Sequence, residues 1–299
     1  MAYLTTATHR LHFKTVGCQQ TADQLTQPPL LILHGFLGSC EDFAGVLPLL
    51  SRHFYCILPD LPGHGQTTLK AAAISETTAL HTGASQDGYS FLETGRSLIA
   101  LLNHLQIDRT NLLGYSMGGR IALYMACSYP ERIARTFLES ASPGLKTAAE
   151  RQARLQKDEA LARQLERLPL PAFLSMWYAN PLFASLQRYP DVRAAMVNRR
   201  KRNNPIELAR ALRGLGTGRQ KSMWPNLSRL NAPLMLMVGE NDEKFVGLGQ
   251  AIAKECERNN KSKVVLKRFE GCGHNIHLEI AQESPENYVD AVLSLLSAY

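Results

Sequence analysis

Asn111-Leu-Leu-Gly-Tyr-Ser-Met-Gly-Gly-Arg-Ile-Ala-Leu123 runs from a short apolar, strand-like stretch through a serine set between glycines into a helix-forming segment. Gly114 and Gly118, two residues either side of Ser116, leave room for a chain that reverses sharply, where larger side chains would collide. A serine on such a turn stands at the N-terminus of the following helix, where free N–H groups and the helix dipole favour developing negative charge. The stretch therefore predicts a strand, a tight turn and a helix, with Ser116 presented as a nucleophile or base.

Working outward, strand-length apolar runs at 29–33, 54–58, 110–113, 133–138, 233–238 and 263–269 are bounded by Gly, Pro or Asp and separated by helical stretches. Runs without apolar–polar alternation belong to strands buried on both faces, so the fold class is α/β, a mostly parallel central sheet with helices on both faces. Residues 12–16 add an antiparallel edge strand. The rhythm breaks after Ser142: from Lys146 to about Gly216 the spacing is helical throughout, interrupted at Leu168-Pro-Leu-Pro171, Asn180-Pro181 and Tyr189-Pro190. This predicts a helical cap inserted at 143–225 into a core formed by 1–142 and 226–299. Residues 66–88 read as a long polar excursion.

The chain has 299 residues, 45% hydrophobic and 20% charged, which is ordinary globular composition. Its formal charge of +7 is unevenly placed: 143–225 holds 16 Lys and Arg against 6 Asp and Glu, leaving a net −3 elsewhere. Most of these arginines read as a solvated helical surface. Nucleic acid is not an expected partner, because no recognition motif accompanies the charge and the arginines are spread over several helices. A few could instead face an anionic small molecule. No secretory leader or membrane span is read, and Cys18, Cys40, Cys56, Cys127, Cys256 and Cys272 show no C-x-x-C or metal spacing, so a cytoplasmic protein with reduced thiols is expected. No metal, flavin or nicotinamide motif is present, and no cofactor is expected.

Partners for Ser116 are sought at strand ends. His34-Gly35-Phe36 follows the first core strand, where a backbone N–H could join that of Met117 in an oxyanion hole. Asp60-Leu-Pro-Gly-His-Gly65 reads as a structural turn. Gly239-Glu-Asn-Asp242 offers a carboxylate, from Glu240 or Asp242, and Gly271-Cys-Gly-His274-Asn275 a base, with His277 as its competitor.

Serine, carboxylate and histidine in that chain order resemble the α/β-hydrolase superfamily over essentially the whole chain. The resemblance favours Asp242 and His274. Within the superfamily, Gly114-Tyr-Ser-Met-Gly-Gly-Arg120, Glu139-Ser-Ala-Ser-Pro-Gly-Leu145, Trp177-Tyr-Ala-Asn-Pro-Leu-Phe-Ala-Ser-Leu186 and Gly239-Glu-Asn-Asp-Glu-Lys-Phe245 resemble the 2-succinyl-6-hydroxy-2,4-cyclohexadiene-1-carboxylate synthases of menaquinone and phylloquinone biosynthesis. That resemblance implies a lyase that eliminates pyruvate from a multi-carboxylate substrate without a cofactor. It implies Ser116, Asp242 and His274 as catalytic residues and the amides of Phe36 and Met117 as oxyanion hole. Substrate contacts are implied for Tyr115, Arg120, Arg154, Trp177 and Arg200, with Arg199 competing for the last place. The expected partner is a small anionic molecule, with no membrane association and a monomer or weak homo-oligomer. An esterase or carbon–carbon bond hydrolase would use the same groups with water as second reactant, and a non-catalytic receptor could keep the fold.

Overall fold

The computed structural model describes residues 2–18, 27–70, 88–257 and 263–296. In chain order the elements are β1 (Ala2–Thr5), β2 (His9–Val16), β3 (Pro29–Leu33), α1 (Leu47–Leu50), β4 (Tyr55–Pro59), β5 (Thr68–Leu69), α2 (Phe91–His104), β6 (Thr110–Tyr115), α3 (Met117–Ser128) and β7 (Ile133–Glu139). Four helices follow, α4 (Ala148–Arg167), α5 (Leu170–Tyr178), α6 (Pro190–Arg200) and α7 (Pro205–Leu215). The chain then closes with β8 (Leu234–Gly239), α8 (Glu243–Glu257), β9 (Val264–Phe269), α9 (Ile276–Glu279) and α10 (Pro285–Ser294).

The sheet runs β1-β2-β4-β3-β6-β7-β8-β9, parallel from β4 to β9, with β1 and β2 antiparallel and β5 paired to β2. β4, β6 and β8 are buried at every residue, as their unalternating apolar sequences require of strands covered on both faces. One apolar layer gathers α2, α3 and α8 residues such as Leu98, Ile121 and Ile252; the other gathers α1 and α10 residues such as Leu50, Tyr288 and Val292. Two expectations change. The strand expected at the edge is longer, His9–Val16, and lies inside the sheet, because β1 pairs along it from Ala2↔Phe13 to Thr5↔Arg10. Of the excursion at 66–88, Thr68–Leu69 forms β5 on β2, and 71–87 lie outside the described residues.

β3 is the switch point: β4 lies to one side and β6 to the other, so the loops after β3 and β6 diverge and leave a crevice at the strands' C-terminal ends. Helices α4 to α7, between β7 and β8, gather a third apolar cluster that takes in Leu37 from the loop after β3 and Leu278 from α9. Local sequence sets their boundaries. Thr147 and Glu150 form a reciprocal capping box at α4, and Asn204 caps α7 ahead of Pro205. No described helix is long and apolar enough to cross a membrane.

Three buried histidines, His9, His34 and His64, tie this fold to pH. Burial pushes His9 down to about 4 and His64 down to about 3, and lowers His34 as well, so all three stay neutral when folded. An unfolded histidine titrates near 6.5; between roughly pH 6.5 and 4 the unfolded chain therefore binds more protons, and stability falls on acidification. The urea midpoint is expected to drop from pH 7 to pH 5, His9 and His64 each contributing about 2 kcal/mol. His64→Gln should flatten that dependence; an unchanged slope would assign the acid sensitivity elsewhere.

Candidate active site

Ser116 sits between β6 and α3 with φ 50° and ψ −107°, a left-handed conformation that costs a non-glycine residue about 1–3 kcal/mol. Its neighbours permit it. A Cβ on Gly118 would overlap the Leu33 carbonyl, and one on Gly114 would overlap the Gly118 carbonyl. The Ser116 N–H donates to the Glu139 carbonyl at 2.9 Å, fixing the turn to the end of β7.

His274, on the loop between β9 and α9, places Nε2 3.2 Å from Ser116 Oγ and Nδ1 2.6 Å from Asp242 Oδ2. Because ionised Asp242 can only accept, Nδ1 carries the hydrogen and Nε2 is left to accept from the serine hydroxyl. Asp242 is itself held by the Phe245 N–H at the start of α8, 3.3 Å from Oδ1. The competing groups are engaged elsewhere. Glu240 accepts from the Gly271 N–H, while His277 donates its N–H and Nδ1–H to the fully buried Glu139 carboxylate, which also accepts from Tyr288. His64 hydrogen-bonds the Pro62 carbonyl within its own turn.

The loop after β3 reaches the serine from the opposite side. A Cβ on Gly35 would lie 3.6 Å from Ser116 Cβ and 2.6 Å from the Tyr115 ring, so only glycine allows this approach. His34, kept neutral by burial, accepts the Leu61 N–H through Nε2 and donates from Nδ1 to the Gly35 carbonyl. Leu37 has φ 68°, and its carbonyl accepts from Asn203 Nδ2 at 2.8 Å and Arg200 Nη1 at 3.3 Å. Phe36 and Met117 border the same cavity as Ser116.

A cavity of about 370 Å³ opens over Ser116 and His274, bordered by Phe36, Tyr115, Arg120, Arg154, Trp177 and Arg200. The three arginines differ. Arg120 is buried and donates to the Leu215 carbonyl at 2.7 Å and Gln220 Oε1 at 3.4 Å, and among the described residues no carboxylate pairs with it. Burial, then the neighbouring Arg154 charge, push it down to about 10, with Asp158 opposing. Arg154 holds Asp158 at 2.7 Å. Arg200, rather than Arg199, borders the cavity, but its guanidinium is bidentate on buried Asp42, at 2.7 and 2.9 Å, and touches the Tyr178 hydroxyl. That alters the expectation for Arg200, whose charge the protein itself already neutralises. Elsewhere the positive surface behaves as solvated helix, Arg163 and Arg213 pairing with Glu159.

Several residues at this site carry no sequence motif. Asp42, Glu139 and Glu279 are buried carboxylates, and for Glu139 and Glu279 the apolar residues beside them in sequence are the signal that could have found them. Asn275 Oδ1, next to His274 and bordering the cavity, has no partner among the described residues.

Residues 28–280 match the α/β-hydrolase fold family. The chain is 34% identical over 272 residues to the 2-succinyl-6-hydroxy-2,4-cyclohexadiene-1-carboxylate synthase of Pectobacterium atrosepticum, covering 91% of this chain and 94% of that one. It is 37% identical over 253 residues to a protein of Bacillus subtilis strain 168 provisionally given the same name, covering 84% and 85% of the two. A solved structure described as MenH from S. aureus superposes with a TM-score of 0.80 at 29% identity, over 95% of this chain and 99% of that one.

The Arg200–Asp42 pair generates a test of stability. Arg200→Ala strands a buried carboxylate and is expected to cost about 3–5 kcal/mol in urea unfolding. The double variant Asp42→Leu/Arg200→Met should recover most of that loss. An Arg200→Ala cost within about 0.5 kcal/mol, as for a surface substitution, would mean that the pair holds nothing in place.

Proposed function

The chain belongs to the α/β-hydrolase family and, within it, to the 2-succinyl-6-hydroxy-2,4-cyclohexadiene-1-carboxylate synthases, and from that premise we propose that it eliminates pyruvate from 2-succinyl-5-enolpyruvyl-6-hydroxy-3-cyclohexene-1-carboxylate in menaquinone or phylloquinone biosynthesis. The observation that carries this reading is Arg120, a buried cation that pairs with no carboxylate among the described residues, beside an assembled Ser116–His274–Asp242 chain. Burying an unpaired charge is costly, and a substrate carboxylate removes the cost with a bidentate contact. Arg154 offers a second cationic contact at the rim. Arg200 acts from behind, holding the loop after β3, and Tyr115 and Trp177 form the aromatic wall.

In the proposed reaction His274 accepts the Ser116 proton as the serine oxygen removes the ring proton beside the succinyl ketone. Charge moves onto the ketone oxygen, where the Phe36 and Met117 amides stabilise it. Its return through the ring double bond breaks the carbon–oxygen bond to the enolpyruvyl group, which leaves as the enolate of pyruvate and is protonated. Asp242 keeps the imidazole in the required tautomer and stabilises the imidazolium. Helices α4 to α7 serve as the cap that closes the cavity.

The test is coupled measurement of pyruvate release from this precursor beside hydrolysis of a generic ester; preferential ester hydrolysis would replace the lyase reading with an esterase. Ser116→Ala and His274→Ala should each abolish nearly all turnover, and the double variant should be hardly worse, since the groups act as a unit. Asp242→Asn should lose several orders of magnitude and Glu240→Gln far less; the reverse ranking overturns the choice of carboxylate. Arg120→Ala should cost about 1.5–3 kcal/mol in kcat/KM, the range for hydrogen bonds to charged groups. Arg163→Ala, on the solvated face, should stay within about 0.5 kcal/mol. Equal small losses at both positions would remove the anionic-substrate argument.

A further inference from the structure

Glu279, the last residue of α9, is fully buried five positions after His274, and no step of the reaction proposed above uses it. Its Oε2 accepts the Gly273 N–H at 2.8 Å, and its Oε1 accepts the Asn275 N–H at 3.3 Å. These N–H groups belong to the residues immediately before and after His274. Oε1 also accepts the Ser185 hydroxyl at 2.9 Å, and Ser185 lies on the 3-10 turn Pro181–Arg188, between α5 and α6.

That turn is seated on the His274 loop in other ways. A Cβ on Gly273 would overlap Ser185, so the residue before His274 is glycine where the turn presses on it. Arg188 donates to the Gly271 carbonyl, the Tyr189 hydroxyl to Glu283, and the Phe183 ring meets His274 edge-on with centroids 6.1 Å apart. Arg188, 3.9 Å from the Glu279 carboxylate, is half exposed, so the carboxylate is met chiefly by the two backbone N–H groups and the serine. A carboxylate kept in so apolar a place destabilises unless its hydrogen bonds are all made.

The geometry points to Glu279 as a positioning residue that brackets His274 and, through Ser185, ties seating of the α5–α6 turn to placement of the base. The inference rests on His274 being the base, so its tests include one readout that needs no substrate. Glu279→Gln keeps the shape but puts an NH₂ where one N–H must be accepted; kcat for pyruvate release should fall about 10- to 100-fold, the factor for losing one charge-assisted hydrogen bond, with KM nearly unchanged. Glu279→Asp, shorter but still an acceptor at both oxygens, should recover part of that loss. Ser185→Ala leaves the carboxylate and both peptides intact and should lower kcat several-fold.

The substrate-free readout is the downfield proton resonance of the His274 Nδ1–H bonded to Asp242, which both Glu279→Gln and Ser185→Ala should shift or broaden in variants that still unfold cooperatively. An unchanged resonance in Glu279→Gln, or equal losses in kcat and thermal stability that Glu279→Asp does not relieve, would reduce Glu279 to a structural group. A wild-type resonance and kcat in Ser185→Ala would break the link to the turn. If the wild-type chain releases no pyruvate, the lyase reading fails while the resonance still decides the bracket.

Discussion

Everything at the candidate site is arranged around the left-handed backbone of Ser116. The turn is unfavourable alone and persists because its surroundings over-determine it: the Glu139 carbonyl takes its N–H, and the backbone about Leu33 and Gly118 is packed too closely for any side chain between. Those contacts join β3, β6 and β7, the three central strands, so the conformation draws on the stability of the whole sheet. Glu139 adds to this with its side chain. While its carbonyl holds the serine turn, its carboxylate holds His277 and Tyr288, linking the turn to the segment that follows His274.

Two further loops must meet this turn, and residues from the α4–α7 segment and its flanks hold both. Arg200 and Asn203 converge on the Leu37 carbonyl beyond β3, while Ser185 and Arg188 converge on the loop that carries His274. Leu37 and Leu278, one beside each loop, are buried in the apolar cluster of those helices. The segment that lines much of the cavity is thus also part of the scaffold that holds the loops beside it.

Local chemistry made much of this legible. Gly114 and Gly118 declare a tight turn because no other residue fits, and all six apolar runs are strands, those at the centre of the sheet showing no alternation because both their faces are covered. What sequence could not decide depended on partners far along the chain. Glu240 and Asp242 end the same strand, and only the folded loop shows Glu240 on the Gly271 amide and Asp242 on the imidazole. The resemblance assigns Arg200 to the substrate, and nothing local shows that Asp42, 158 residues away, lies against it. Glu279 meets Ser185 across 94 residues, and nothing local marks either as the partner of the other. β1 was missed because four mostly exposed residues carry no apolar pattern.

The depth of Arg120 bears on how salt acts on the protein. Mobile ions screen exposed charges over about 8 Å at physiological ionic strength, but they reach a buried guanidinium poorly. The exposed surface charge as a whole can therefore draw an anion toward the cavity chiefly in dilute salt. In the proposed reaction Arg120 acts after entry, on a carboxylate already out of water. Raising ionic strength should then slow the encounter while leaving the dwell time of the bound anion almost untouched, so that the outer surface sets how often the cavity fills and one buried residue sets how long it stays filled.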